Sequence, residues 1–221
     1  MNKLKQILIF STTFACSALS VAQIPQISAS WTGLYNDEQK ISLFFQQKGT
    51  DITGYSLLNG KQTHFKGKIQ QTDLNYTLSL NEIGQGADVG KFILDYKNNT
   101  MPIDAQWLSA AKTVKPKFFS LSSQQCKYAK GQGEFPDASS RLLKDADLQV
   151  PLGQLQYMRN EIYARHGYAF QNKKWAITFS QNDWYMPCYT NVDTRLTKIE
   201  KENVKRIKLV EPYAKDLDWG R

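Results

Sequence analysis

The stretch KISLFFQQKGTDITGYSLL, residues 40–58, contains two half-apolar runs separated by a short polar link. In the first run Ile41, Leu43 and Phe45 recur at every second position, which is the period of a β-strand with one buried face. The link QKGT carries a glycine of the kind that favours a hairpin turn. The sequence therefore predicts a pair of antiparallel strands at this point.

The same pattern extends on both sides of this hairpin, from Trp31 to about Ser122. Tyr76, Leu78 and Leu80 repeat the alternation, and short links such as NGKQ contain residues that tolerate a left-handed backbone. Eight runs of this kind follow one another: WTGLYN, KISLFFQQ, DITGYSLL, HFKGKIQQ, LNYTLSLN, GKFILDYK, MPIDAQWL and KFFSLS. An open sheet of eight strands would leave two exposed edges, so residues 24–122 are predicted to form an up-and-down β-barrel or a strongly curled sheet.

The interior of the predicted barrel is expected to be rich in aromatic side chains. A barrel of this size is either filled by its own side chains or holds one small ligand, and a filled interior is the favoured alternative. The segments SWTGLY and AQWLS resemble the Trp and Gly signatures of lipocalin-like and avidin-like barrels, which implies a similarity of architecture only. The candidates for buried contacts are Trp31, Tyr35, Phe45, Tyr55, Tyr76, Phe92 and Trp107.

The N-terminus has the pattern of a secretory signal peptide, residues 1–22. Lys3 and Lys5 precede an apolar run, and small residues lead to a predicted cleavage after Ala22. Lipidation at Cys16 is the alternative, although Thr13 stands where bacterial lipoproteins usually have Leu. No later segment approaches the roughly 18 apolar residues needed to span a bilayer. We therefore expect a periplasmic or secreted protein without stable membrane insertion.

The charge and the motifs of the chain argue against several functional classes. Removal of the predicted signal peptide lowers the formal net charge from +8 to +6, and this moderate positive charge favours anionic partners at the cell envelope but is too diffuse to indicate nucleic-acid binding. The sequence contains no P-loop, dinucleotide fingerprint or HExxH motif, and no serine in a nucleophile-elbow context. It therefore predicts a protein that is not an enzyme and that needs no cofactor.

Two cysteines remain after removal of the signal peptide, Cys126 and Cys188. In an oxidising compartment two cysteines most simply form one disulfide. A metal site would have only His64 and His166 to add to them, and the spacing of these residues is not that of metal ligands. A disulfide is therefore predicted, and no metal site is predicted.

The second half of the chain has the pattern of helices. Residues 123–150 are polar and little periodic, as expected for a connection between domains. Pro151 is suited to the start of a helix of about 15 residues, and Gly167 is suited to its end. Thr197 and Glu200 form the pattern of a capping box at the start of a last helix, and residues 212–221 form the predicted C-terminal tail.

Residues 142–211 resemble the YARHG domain, a bacterial extracytoplasmic module. The similarity rests on LLKDADL, RNEIYARHGYAF, WY followed by P, and IEKENVKRI. It implies a small, mainly helical accessory module of exported or surface-exposed proteins, with no established catalytic activity. The fold class predicted for the chain is therefore α+β, a barrel followed by this module. Cys188 is not a feature expected of the family, which supports a protein-specific disulfide.

The polar residues of the motif can be structural or can contact a ligand. Glu161 and Arg165 are four residues apart and predict an exposed helical ion pair worth only about 0.3–0.5 kcal/mol. Arg159, His166 and Asn203 are predicted to connect the two long helices, whereas Arg159, Arg165 and His166 contact a ligand in the alternative interpretation. The complete candidate set is Arg159, Asn160, Glu161, Tyr163, Arg165, His166, Gly167, Trp184, Tyr185 and Asn203.

The sequence favours an exported, non-catalytic binding or accessory protein of the cell envelope, with an envelope component or another exported protein as its partner. The alternative is a periplasmic inhibitor or immunity protein that neutralises a secreted toxin or lytic enzyme. An inhibitor would insert a protruding loop into an acidic cleft, and KGQGEFPD, residues 130–137, or QNKKW, residues 171–175, are the candidate loops.

Overall fold

The computed structural model describes the chain from Ile24 to Ala214, in the ranges 24–27, 29–73, 75–86, 89–97, 102–111 and 113–214. The predicted signal peptide, residues 1–22, lies outside the described residues, as do residues 215–221 of the predicted tail. Within the described ranges, no helix combines the length and the apolar composition needed to cross a membrane.

Eight antiparallel strands form a closed barrel in which each strand pairs with its neighbours in sequence and β1 pairs with β8. This confirms the predicted up-and-down barrel and decides between closure and an open curled sheet. The strands are β1 Ser30–Tyr35, β2 Gln39–Lys48, β3 Asp51–Leu58, β4 Lys61–Thr72, β5 Asn75–Glu82, β6 Gly90–Tyr96, β7 Ile103–Ser109 and β8 Lys117–Ser123.

Alternating side chains fill most of the barrel interior. Trp31 has no exposed surface and packs against Phe45 with ring centroids 4.8 Å apart. Of the predicted core aromatics, Trp31, Phe45, Tyr76, Phe92 and Trp107 are buried. The prediction for Tyr55 is wrong, because Tyr55 is only half-buried. Its ring stacks on that of Phe44, its register partner on β2, and both residues lie outside the barrel core.

One end of the barrel is closed by the segment that precedes β1. Ile27 belongs to the barrel core, and its amide donates to Oε1 of Gln47 at 2.9 Å. Nε2 of Gln47 donates to the carbonyl of Pro25 at 3.0 Å. Because Gln47 lies near the end of β2, this segment covers the end of the barrel at which the even-numbered strands finish.

The helical region, residues 126–214, has four α-helices: α1 Asp137–Ser140, α2 Leu152–Arg165, α3 Lys173–Ser180 and α4 Lys198–Val210. Two 3-10 turns lie at Asp145–Leu148 and Glu211–Tyr213. The predicted capping box is confirmed, since Thr197 and Glu200 exchange side-chain and backbone hydrogen bonds. Gly167 follows α2 with φ of +76°, a conformation that glycine adopts without strain.

A disulfide joins Cys126 to Cys188, as predicted. It connects the segment that leaves β8 to the segment that follows α3. Because α1 and the first 3-10 turn both lie within residues 123–150, this stretch contributes structure to the helical region as well as linking it to the barrel.

The helical region contacts the barrel through α3 and the turn that follows it. The amide of Lys40 donates to Oγ of Ser180 at 2.7 Å, and its ammonium group donates to the carbonyls of Asn182 and Tyr185, each at 2.7 Å. Burial lowers the pKa of Lys40. Lys40 lies at the start of β2, so the helical region packs at the end of the barrel opposite the one that residues 24–27 cover.

Candidate functional site

Glu161 and Arg165 form a fully buried ion pair. Nη2 of Arg165 donates to Oε2 of Glu161 at 2.5 Å, and neither side chain has any exposed surface. The prediction of an exposed pair is therefore wrong. Helical spacing places the two residues next to each other, but the segment before α1 folds over this face of α2 and excludes solvent from both charges.

This ion pair holds the segment that enters the helical region. Glu161 accepts hydrogen bonds from the backbone amides of Glu134 and Phe135, and Nε of Arg165 donates to the carbonyl of Gln132 at 2.6 Å. A side chain at Gly133, whose φ is +95°, would collide with the Glu161 carboxylate. Burial raises the pKa of Glu161, although Arg165 and the two amides oppose this shift. The pair is therefore an internal support and is inaccessible to a ligand.

His166 connects α2 to α4. Its Nε2 lies 2.8 Å from Oε2 of Glu200, and the Tyr128 hydroxyl donates to Oε1 of the same carboxylate at 3.1 Å. Burial by itself would raise the pKa of Glu200, but hydrogen bonds from His166 and from the Thr197 amide hold it at about 2. His166 and Glu200 thus make a connection between the long helices of the kind that the sequence suggested.

Asn203 connects α4 to a different partner from the one predicted. Its Oδ1 accepts from the amide of Leu143, and its Nδ2 donates to the carbonyls of Ala138 and Arg141 at 2.8 and 2.7 Å. The side chain is completely buried. Asn203 therefore holds α1 and the residues after it against α4, and it does not bridge α4 to α2.

The outer face of α2 borders a polar pocket of about 420 Å³, which we call the α2 pocket. One wall consists of motif residues on or next to α2, and the other consists of the loop 190–193 and α4. The lining residues are Arg159, Asn160, Tyr163, Tyr168, Thr190, Asn191, Val192, Asp193 and Lys208. The structure therefore brings three candidate residues, Arg159, Asn160 and Tyr163, to one cavity, and it places Glu161, Arg165 and Asn203 inside the fold.

Asn160 is the most informative residue of the α2 pocket. Only 8% of its surface is exposed, and its Nδ2 has no hydrogen-bond partner. A buried amide without a partner costs about 1–3 kcal/mol, so such a group calls for a specific explanation. An acceptor on a ligand in the pocket would supply the missing partner.

Two cationic side chains and several groups able to donate a hydrogen bond line the α2 pocket. The guanidinium of Arg159 is held by Glu211 at 2.6 Å. Burial raises the pKa of Tyr163, which keeps its hydroxyl protonated and able to donate. Lys208 adds a positive charge from α4, and Asp193 is the single carboxylate among the lining residues. Because Arg159 is paired with Glu211, Lys208 and the Asn160 amide are the groups that suit an anionic group such as a carboxylate.

Trp184 and Tyr185 lie away from the α2 pocket, in an aromatic cluster with Phe179. Tyr185 is buried, and its hydroxyl donates to the carbonyl of Tyr168 at 2.8 Å. The rings of Trp184 and Tyr185 lie 6.4 and 6.0 Å from that of Phe179. Both residues therefore support the packing between α3 and the end of α2.

Residues 134–212 match the YARHG domain. This confirms the resemblance and extends its start from residue 142 to residue 134, so that α1 and the amides bound by Glu161 are included. The YARHG region holds all of the lining residues of the α2 pocket. No curated protein and no solved structure matches the chain at a significant level.

The second wall of the α2 pocket was missed in the sequence. Asn191 and Asp193 form a local turn in which the Asp193 amide donates to Oδ1 of Asn191 at 2.8 Å. The polar run TNVD indicates such a turn, but no periodicity predicts that it faces α2. Within the part of the chain that the structure describes, no three His, Cys, Asp or Glu side chains are grouped to hold a metal ion.

Proposed function

We propose that the protein is an exported, non-catalytic binding protein of the cell envelope, and that its α2 pocket binds a carboxylate-bearing envelope component. The observation that carries this proposal is the buried Nδ2 of Asn160, which lacks a partner in a pocket that also contains the positive charge of Lys208. A ligand carboxylate would accept from Asn160 while Lys208 supplies the opposite charge.

Export is supported by three independent features. The first residues have the composition of a signal peptide, and the disulfide between Cys126 and Cys188 is of the kind that persists in oxidising compartments. The match to the YARHG domain agrees with both. A periplasmic or secreted location follows from this proposal.

The non-catalytic assignment is supported by the state of the charged groups in the motif. Glu161, Arg165 and Glu200 are fully buried, and each is engaged by neighbouring protein groups. A general acid or base has to reach a reacting atom within hydrogen-bond distance. These three groups therefore act in the architecture and have no access to a substrate.

Co-sedimentation of the mature protein with purified cell-wall sacculi, which are rich in carboxylates, tests the proposal. Asn160→Asp keeps the size of the side chain but replaces the donor by a negative charge, and Lys208→Gln removes a positive charge from the pocket. We expect each variant to bind at least about tenfold more weakly, as loss of a charge-assisted hydrogen bond predicts.

Lys201→Gln is the matched control, because Lys201 is an exposed lysine of the same helix that does not line the pocket. It should bind like the parent protein, and the melting temperature of Lys208→Gln should equal that of the parent. Failure of the parent protein to sediment with sacculi, or equal binding by both pocket variants, would contradict the proposal.

An inhibitor or immunity function is the second candidate. It is favoured by the exposed segment 130–134, which the buried Glu161 holds in place through the amide of Glu134. A rigid exposed loop loses little entropy when it enters an enzyme cleft. Capture of a secreted enzyme that is released by Gln132→Ala, together with unchanged sacculus binding, would favour this alternative.

A further inference from the structure

We propose that the barrel has a second binding site at its open end, for a small and largely apolar molecule that carries an N–H or O–H donor. The site is a cavity of about 520 Å³, which we call the barrel mouth. This volume lies in the range of small-molecule sites in proteins. The proposal is independent of the function assigned to the α2 pocket.

The barrel mouth lies at one defined end of the barrel. Its lining comes from the ends of odd-numbered strands, such as Tyr35 and Leu58, and from the starts of even-numbered strands, such as Ile41 and Lys61. In an up-and-down barrel these positions share one end. The opposite end is covered by the segment containing Ile27, so the cavity is a pocket closed on one side.

The walls of the barrel mouth are aromatic and aliphatic. Trp107 and Tyr35 lie with ring centroids 6.4 Å apart in an edge-to-face arrangement, and Phe92 also lines the cavity. Val114 and Leu58 add aliphatic surface. Burying an apolar ligand against such walls supplies most of the binding free energy in sites of this type.

Glu82 gives the barrel mouth a polar anchor. Its Oε2 accepts from Nε1 of Trp107 and from the amide of Gly90, both at 2.9 Å, and its Oε1 accepts from the Ser56 hydroxyl at 3.1 Å. A carboxylate offers about four acceptor positions. Three donors from the described residues therefore fix the orientation of Glu82, and its carboxylate has a further acceptor position for a donor on the ligand.

The charge at the barrel mouth also bears on the ligand. Burial and the nearby Glu82 raise the pKa of Tyr35 to about 12, so its phenol is neutral at physiological pH. Lys61 and Lys117 line the same cavity. A neutral ligand fits a cavity whose lining holds both the Glu82 carboxylate and two lysines.

The neutral fluorophore N-phenyl-1-naphthylamine, which is apolar and has one N–H, is a suitable probe. We expect a saturable increase in its fluorescence with the mature protein at a ratio of one to one. Glu82→Gln should weaken binding about tenfold. The glutamine can keep Trp107 and Gly90 on its oxygen, and its amide can donate to Ser56, so that mainly the ligand's acceptor is lost.

Thr63→Trp should abolish binding, because Thr63 lines the cavity and a large ring would fill it. If Thr63→Trp does not fold, Leu58→Trp fills the same cavity from β3 and should also abolish binding. Thr77→Trp is the matched control, because Thr77 alternates with the buried Tyr76 and Leu78 and lies on the outer face of β5. It should bind like the parent protein.

Three results would overturn the proposal: no saturable fluorescence with the parent protein, equal binding by a folded Thr63→Trp or Leu58→Trp variant, or unchanged affinity in Glu82→Gln. Asn160→Asp should leave binding of the probe unchanged, because the α2 pocket is a separate cavity. Sacculus binding and probe binding therefore report on the two sites separately.

Discussion

At the scale of single residues, Arg165 shows how the YARHG region uses a buried charge. Its guanidinium donates to Glu161, to the carbonyl of Gln132 and to the hydroxyl of Ser139. Removing a charge from water is costly unless its partners replace the lost hydration. Each of these contacts therefore offsets part of the cost of burying the Arg165 charge, and Arg165 offsets the cost of burying the Glu161 charge in the same way.

Replacement of Arg165 by Met should lower the free energy of unfolding by about 3–5 kcal/mol, because Glu161 is left buried without its counter-charge. Denaturant titration at pH 7 measures this loss. The double variant Arg165→Met with Glu161→Gln should be more stable than Arg165→Met alone, since the uncompensated charge is gone.

Lys68→Met is the control for this prediction. Lys68 pairs with Asp51 at 2.6 Å, but 59% and 65% of the two side chains are exposed. An exposed pair contributes about 1 kcal/mol or less. Equal losses in the two single variants would show that burial of the Arg165 pair does not determine its contribution.

At the scale of elements, short helices depend on side chains from longer ones. The helix α1 has only four residues, too few to be stable by itself. Asn203 of α4 binds the backbone of Ala138, Arg141 and Leu143, which lie in and just after α1. One buried amide thus positions a segment that has little helical preference of its own.

Asn203→Leu should destabilise the protein by roughly 1–3 kcal/mol for each backbone group left without a partner. Thermal unfolding measures the effect. Lys205→Leu, an exposed change on the same helix, should be close to neutral. A melting temperature for Asn203→Leu that equals the parent value would show that the hydrogen bonds of Asn203 do not stabilise the fold.

At the scale of the whole molecule, the barrel and the YARHG region meet at the end where the barrel mouth opens. Thr32, Ser42 and Leu57 lie on the outer face of the barrel near this end and are nevertheless buried. Ser42 belongs to β2, the strand on which α3 packs, and Thr32 and Leu57 are its register partners on β1 and β3. Lys40 supplies the polar part of this contact through its bonds to Asn182 and Tyr185.

Lys40→Met should weaken the contact between the two regions, because the carbonyls of Asn182 and Tyr185 lose a charged donor. We expect a loss of about 2–4 kcal/mol from the joint unfolding transition. In calorimetry the single transition should broaden or separate into two. Lys48→Met, an exposed change at the other end of the same strand, should leave the transition unchanged. Identical profiles for both variants would contradict this role of Lys40.

The local pattern of the sequence determined the strands, the long helices, the capping box and the disulfide. Ile41, Leu43 and Phe45 alternate because a strand has a period of two, and this information lies within a few residues. Thr197 and Glu200 likewise interact across one turn of a helix. The motif at Tyr163 to Gly167 was sufficient to indicate the YARHG domain.

Only the tertiary structure decided which of these residues are accessible. Glu161 and Arg165 are buried because a segment about 30 residues earlier covers them, and Asn203 finds its partners about 60 residues away. The α2 pocket and the barrel mouth are likewise assembled from segments distant in sequence. Periodicity reports the face on which a side chain lies, whereas burial depends on what the rest of the chain places over that face.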